Sequence, residues 1–379
     1  MTDFKGFIEN NKENMYRTLK ELAVIPAPSG HEEKRAEYCL DVLKGFGAKD
    51  AYIDEALNVI LPFNIEGKDN ITVIGAHTDV VFGFDVPLNY VEKDGKIFCP
   101  GIGDDTACVV ILMYTAKYLL ENKIEPENGL VIVLDSGEEG MGNLKGIRQF
   151  MKDFKGRVKE FVTYDTDIYS IADECVGSHR YKVTVKTEGG HSFAEFGNAN
   201  SINELAKIVN EIYKLSVPEK EGTTTTYNVG TIEGGTSVNT IAQSASMLCE
   251  YRSDSRECLE EMKKAFMGIF DSARTDKVTV EVETVGERPC SNVDKTLQRN
   301  LADTCKKICD ETYGVDAYFR SGSTDCNIPL SVGIPAVNVG VFIGGLSHTT
   351  EEWIDKASVS EGLMFSLKLV QELCTIGRL

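Results

Sequence analysis

No run of apolar residues in this chain approaches the roughly 18 needed to cross a bilayer. The first twenty residues, MTDFKGFIENNKENMYRTLK, mix both charge signs and carry no apolar leader core. The sequence therefore reads as that of a cytoplasmic protein with no membrane partner. Basic residues are in short supply, 40 Lys and Arg against 59 Asp and Glu, for a formal net charge of −19. That balance argues against nucleic acid as a partner, because a phosphate backbone is bound by clustered lysine and arginine. No CxxC motif occurs, and the 11 cysteines are odd in number and mostly set in apolar runs, as around Cys108, Cys249 and Cys326. Such thiols are expected to be reduced and buried. Cys305 and Cys309 have helical spacing but no second pair to complete a metal site. Histidine is scarce as well, with five in 379 residues.

What is present is globular in character, 42% hydrophobic and 26% charged. The length exceeds what one hydrophobic core usually fills, so two domains are expected. Apolar residues recur at helical spacing from Phe4 to Val24 and from Glu32 to Leu43, the second stretch preceded by Ser29-Gly30-His31-Glu32, a capping pattern. The period then changes. NVILPFNI, ITVIGA and LVIVLD are short β-branched runs separated by a long apolar helix from about Thr106 to Leu120. Strands alternating with helices imply an α/β sheet covered on both faces, with ligands at the carboxyl ends of its strands.

A different rhythm begins near His179. RYKVTVKTEG, a helix over Ser201 to Leu215, TTTTYNVGTIEG, SASMLCEYRS, a helix over Glu257 to Ala273 and KVTVEVET spell βαββαβ, the split-βαβ sandwich. After Pro289 the α/β pattern resumes, with a helix near Leu297 to Tyr313 and an apolar strand IPAVNVGV. The smaller domain, residues 178–287, is thus expected as an insertion in a larger one formed by 1–177 and 288–379.

The chemistry-bearing residues gather where the apolar strands end. ITVIGA runs into His77-Thr78-Asp79, where residues two apart point the same way, so Asp79 could take the proton of an imidazole whose other nitrogen binds metal. Asp104 and Asp105 lie between a glycine turn and an apolar helix; one could cap it, but two adjacent carboxylates repel, and a cation would make the pair useful. LVIVLD is followed by Ser136-Gly137-Glu138-Glu139-Gly140, and of two adjacent glutamates one can ligate a metal while the other acts as general base. FVTYDTDI adds Asp165 and Asp167, both at plausible strand-end positions, and GGLSHTTEEW adds His348. Histidine with carboxylate suits zinc, cobalt or manganese better than copper or an iron–sulfur cluster.

The ordered motifs HTDVV, GIGDD, SGEEG, YDTD, GGHSF, GGTSVN, GSTDCNIP and SHTTEEW resemble those of the M20 metallopeptidases and deacylases, and most of all the tripeptide aminopeptidase branch, from about residue 15 to 370. The resemblance implies a mixed-sheet zinc-peptidase catalytic domain and an inserted ferredoxin-like domain serving as lid and dimerisation element. It implies two divalent ions, zinc or else cobalt or manganese, held by His77, Asp104, Glu139, Asp165 and His348 with Asp104 as the bridge. Glu138 becomes the general base and Asp79 the partner of His77. From the inserted domain it implies that His191 stabilises the oxyanion, in many members across a homodimer interface, while Asn239 and Arg252 grip a substrate carboxylate. The expected substrate is a short peptide, cleaved by an aminopeptidase; carboxypeptidases and N-acyl amino acid deacylases share the same centre. Where that branch commonly reads D-D-K-A-G, this chain has Asp104-Asp105-Thr106-Ala107-Cys108. His31 and His179 match no motif and read as surface or capping residues.

Overall fold

The computed structural model describes residues 3–374. They fall into two compact units, one made of the chain up to Cys175 with that from Asn292 onward, the other of Val176–Ser291.

The larger unit is built on an eight-stranded sheet. Across it the strands run Tyr52–Ile53, Val59–Phe63, Leu130–Asp135, Ile71–His77, Val158–Tyr164, Ala336–Val339, Ser170–Cys175 and Tyr318–Gly322. The central four, from Leu130–Asp135 to Ala336–Val339, are mutually parallel. Val59–Phe63 and Ser170–Cys175 pair antiparallel to them on either side, which makes the sheet mixed. Strand geometry sends alternate residues to opposite faces. Ile132 and Leu134 accordingly join one apolar cluster, with helices Phe4–Ala23, Cys108–Glu121, Lys295–Tyr313 and Ser358–Leu373. Val131 and Val133 join a second cluster on the other face, with helix Lys145–Asp153. Strands buried on both faces read as unbroken apolar runs, and LVIVLD does so for that reason.

Helix Cys108–Glu121 is apolar nearly all round because it is buried nearly all round. It begins later than the sequence suggests. Ile102–Ala107 forms a widened turn in which Asp104 leaves helical geometry (φ −105°, ψ 88°) and the Asp104–Asp105 peptide is cis. Gly101, at φ +74°, starts this turn, and a Cβ there would lie 2.5 Å from Val80 Cγ1. The capping role expected of Ser29 is not realised: Glu32 is the residue before helix Glu33–Gly45 and makes no side-chain cap, while Ser29 bonds elsewhere. All 11 cysteines are buried free thiols.

The smaller unit has the order strand, helix, strand, strand, helix, strand, with the four long strands forming an antiparallel sheet ordered Thr225–Gly234, Ser244–Ser253, Gly177–Lys186, Thr279–Arg288. One face carries Tyr181, Val183, Met247, Cys249 and Tyr251 against helices Ser201–Ile212 and Arg256–Ser272, and the other is polar. His179 is a correction to the sequence reading. It is buried on the apolar face, its Nδ1 2.6 Å from the Tyr251 hydroxyl, and that hydroxyl lies 3.0 Å from the one of Tyr181. Among the described residues no helix is long and apolar enough to cross a membrane.

Candidate metal centre

Parallel neighbours in a sheet bring their carboxyl ends to one edge, and loops leaving that edge can share a site. His77 ends strand Ile71–His77, Asp165 follows strand Val158–Tyr164, and Glu138 and Glu139 follow Leu130–Asp135. His348 lies in the loop beyond Ala336–Val339, at φ +64°. A side chain there costs about 1 kcal/mol and persists where its surroundings fix it. Asp104 comes from the widened turn.

These five side chains meet. His77 Nε2 lies 3.0 Å from Asp104 Oδ1 and 3.8 Å from Asp165 Oδ1. On the other side of Asp104, His348 Nε2 lies 3.1 Å from Oδ2 and 3.0 Å from Glu139 Oε1. The cluster is therefore two triads, His77 with Asp165 and His348 with Glu139, sharing Asp104 through one oxygen each. Donor atoms of His77, Asp104 and Glu139 all fall within 4.8 Å of one another. Asp167 is not part of it: its Oδ1 accepts from the Tyr169 backbone N–H at 3.0 Å, as in a local turn.

The charges explain what such a cluster wants. Burial opposes a proton on His77, but Asp105, Asp104, Asp165 and Asp79 around it outweigh that and raise its pKa well above the ordinary value. Hydrogen bonds to Asp104 and Glu139 raise His348 to about 11 against the opposing effect of burial. Asp104 would be raised by burial, yet the two histidines hold it below the usual carboxylate range. Asp165, buried and beside Asp104, is pushed up to about 6. Protons thus sit where cations would sit, and a divalent ion must displace them. The sign follows. Both histidine pKa values are raised, so at neutral pH metal loading releases protons, and apparent affinity falls as pH is lowered from 8 to 6. Calorimetry of metal binding in buffers of differing ionisation enthalpy checks this; heats independent of the buffer contradict it.

Residues around the cluster hold it in place, among them Asp79 and Asp105, which the sequence singled out, and Ser29 and Glu352, which it did not assign to the site. The Asp79 carboxylate lies 3.4 Å from His77 Nδ1, whose nearest partner is the Asp79 backbone carbonyl at 3.1 Å. Its oxygens also accept the backbone N–H groups of Glu138 (3.0 Å) and Glu139 (2.9 Å), and Ser29 Oγ at 2.6 Å. Ser29 donates as well to the Glu139 carbonyl at 2.9 Å. Glu352 accepts three backbone N–H groups of the bridging turn, from Gly101 (2.7 Å), Gly103 (2.8 Å) and Asp104 (2.9 Å). Burial pushes Glu352 up to about 7 despite those bonds. Asp105 accepts the His77 backbone N–H at 2.9 Å. The only sequence signal for Glu352 was its place in SHTTEEW, and Ser29 was hidden by its resemblance to a helix cap.

In the smaller unit His191 lies on the short segment Gly190–His191, paired with Thr240–Ile241 directly after Asn239. The Ser192 N–H donates to the Asn239 carbonyl at 3.0 Å, and both His191 and Asn239 are exposed. Arg252, on strand Ser244–Ser253, forms an ion pair with Glu250 at 2.9 Å.

The pattern of Peptidase family M20/M25/M40 matches residues 73–372. A succinyl-diaminopimelate desuccinylase of Rickettsia canadensis is 26% identical over 222 residues, covering 53% of this chain and 57% of that protein. A probable succinyl-diaminopimelate desuccinylase of Staphylococcus epidermidis is 21% identical over 391 residues, covering 91% of this chain and 94% of that one. Among solved structures, a tripeptidase from Staphylococcus aureus has the same fold, with a TM-score of 0.76 at 20% identity over 96% of this chain and 99% of that one.

Proposed function

The chain belongs to peptidase family M20/M25/M40, and from that premise we propose that it is a two-metal aminopeptidase acting on di- and tripeptides. It is a metallohydrolase of peptides or amides; the finer reading rests on the site. The observation that carries the two-metal reading is the pair of triads sharing Asp104, one oxygen to each histidine. The donors fit divalent ions: two imidazoles and three carboxylates, with no thiolate, suit zinc, and cobalt or manganese in its place. His77, Asp104 and Asp165 would hold one ion, and His348, Asp104 and Glu139 the other. Ions held there would polarise the substrate carbonyl and acidify water.

The protein's own part is to move a proton and fix geometry. Glu138 is the base that takes the proton from the attacking water and returns it to the departing amine, with Asp79 fixing the backbone on which it stands. Glu139, on the next residue, is thereby left to the ion. Asn239 and Arg252 supply donors for a substrate carboxylate and His191 for the developing oxyanion. The exposure of His191 and Asn239 on adjoining segments supports that assignment. A homodimer through residues 178–287 belongs to the same reading.

Likeness in fold to a tripeptidase supports the aminopeptidase assignment. A second reading, an N-acyl amino acid deacylase, is favoured by the two desuccinylases among the similar sequences. Substrate polarity separates them. Zinc- or cobalt-loaded protein is expected to cleave a free tripeptide at least about tenfold faster than its N-acetylated form, the order of discrimination of a site built to bind a free α-ammonium. The C-terminal amide is expected to be slowed as well. Equal rates on free and N-acetylated peptides, or faster cleavage of an N-succinyl amino acid, replace the first reading with the second.

A further inference from the structure

Arg35 lies on helix Glu33–Gly45, far in sequence from every residue of the metal centre, and its side chain is wholly buried. Its guanidinium reaches three separate segments. Nε donates to the Ile25 carbonyl at 2.9 Å, and Nη1 donates both to the Thr78 carbonyl and to Thr106 Oγ1, each at 3.1 Å. Thr78 is the residue between His77 and Asp79. Thr106 is the second residue after Asp104, at the end of the widened turn, and its hydroxyl also donates to the Gly101 carbonyl. One cation therefore bridges the strand end carrying one histidine and the turn carrying the shared carboxylate.

A guanidinium out of water is costly unless negative charge surrounds it. Burial lowers its pKa to about 10, which leaves it charged at neutral pH, and the carboxyl groups of Asp79 and Asp105 are among the neighbours that favour its proton. Both acids are fully buried, and Asp105 keeps one oxygen without a hydrogen-bond partner. An arginine that served packing alone would be better replaced by an apolar side chain of its size. Thr106 has no charge of its own and offers its hydroxyl oxygen to a cation arriving from another helix.

We infer that Arg35 is a positioning residue for the metal centre, supplying from helix Glu33–Gly45 the buried positive charge that ties the His77–Asp79 strand end to the Asp104–Thr106 turn. The inference rests on the two-metal reading of that site and adds to it the residue that holds its two halves in register.

The test compares wild type with Arg35→Met, Thr106→Lys and the double variant Arg35→Met/Thr106→Lys. Zinc affinity is read by chelator competition, kcat and KM on a tripeptide separately, and folding by near-ultraviolet circular dichroism. Removing a residue that orients metal ligands typically costs about 10–100-fold in metal affinity or activity, and Arg35→Met is expected in that range, in kcat more than in KM. Thr106→Lys alone is expected to weaken both, because two cations then meet in one buried place. Combined, the two changes are expected to recover about tenfold over Arg35→Met, a coupling of opposite sign to the single effects. A packing role predicts no such recovery. Affinity and kcat of Arg35→Met within about threefold of wild type, below the range for such residues, overturn the inference, as does a folded double variant without recovery. Should Arg35→Met not fold, Thr106→Val removes one acceptor and leaves the arginine; unchanged affinity in that variant overturns the inference too. Wild-type protein that takes up fewer than two ions refutes the metal reading itself and is distinguishable from all of these.

Discussion

Glu138→Gln is expected to bind two ions per chain like the wild type and to lose turnover by about 10²–10⁴-fold, the range that a positioned general base contributes. The variant preserves shape and hydrogen-bonding length, and its backbone N–H still donates to Asp79. What it removes is an atom able to take a proton. Glu139→Ala is the contrasting change, since Glu139 Oε1 lies 3.0 Å from His348 Nε2 inside the cluster, and here metal content falls together with activity. Elemental analysis beside steady-state rates separates the two. Full turnover in Glu138→Gln would mean that the roles of the adjacent glutamates are reversed or that the base lies elsewhere.

Asp104→Ala should be more damaging still. Asp104 is the one residue that belongs to both triads, with Oδ1 3.0 Å from His77 and Oδ2 3.1 Å from His348. Its loss leaves two histidines and two carboxylates in separate pairs, and each pair is a poor site for a divalent ion. Bound metal is expected to fall from two ions to one or none, with activity lost by at least about 10⁴-fold, the upper range of a catalytic group, because neither ion retains its position. The variant remains folded, since the turn is still held by Glu352 through the N–H groups of Gly101, Gly103 and residue 104. Two tightly held ions in Asp104→Ala would refute the bridge.

Period, turn chemistry and strand-end position are local properties, and they made the mixed α/β architecture and the inserted βαββαβ unit legible in the sequence alone. A strand such as LVIVLD must be apolar throughout to be buried on both faces, and the residue after it must lie at the sheet edge, so Glu138 and Glu139 could be located without coordinates. The sequence could not decide between Asp165 and Asp167, which occupy equivalent positions two residues apart; the fold turns one toward His77 and the other into its own turn. Nor could it show that Ser29 leaves a helix start for Asp79, that His179 is buried beneath Tyr251, or that Glu352 and Arg35 brace the bridging turn from 248 and 71 residues away. Each of these depends on a polar group finding a partner once water is excluded, and that partner is chosen by how distant segments pack, which no local pattern encodes.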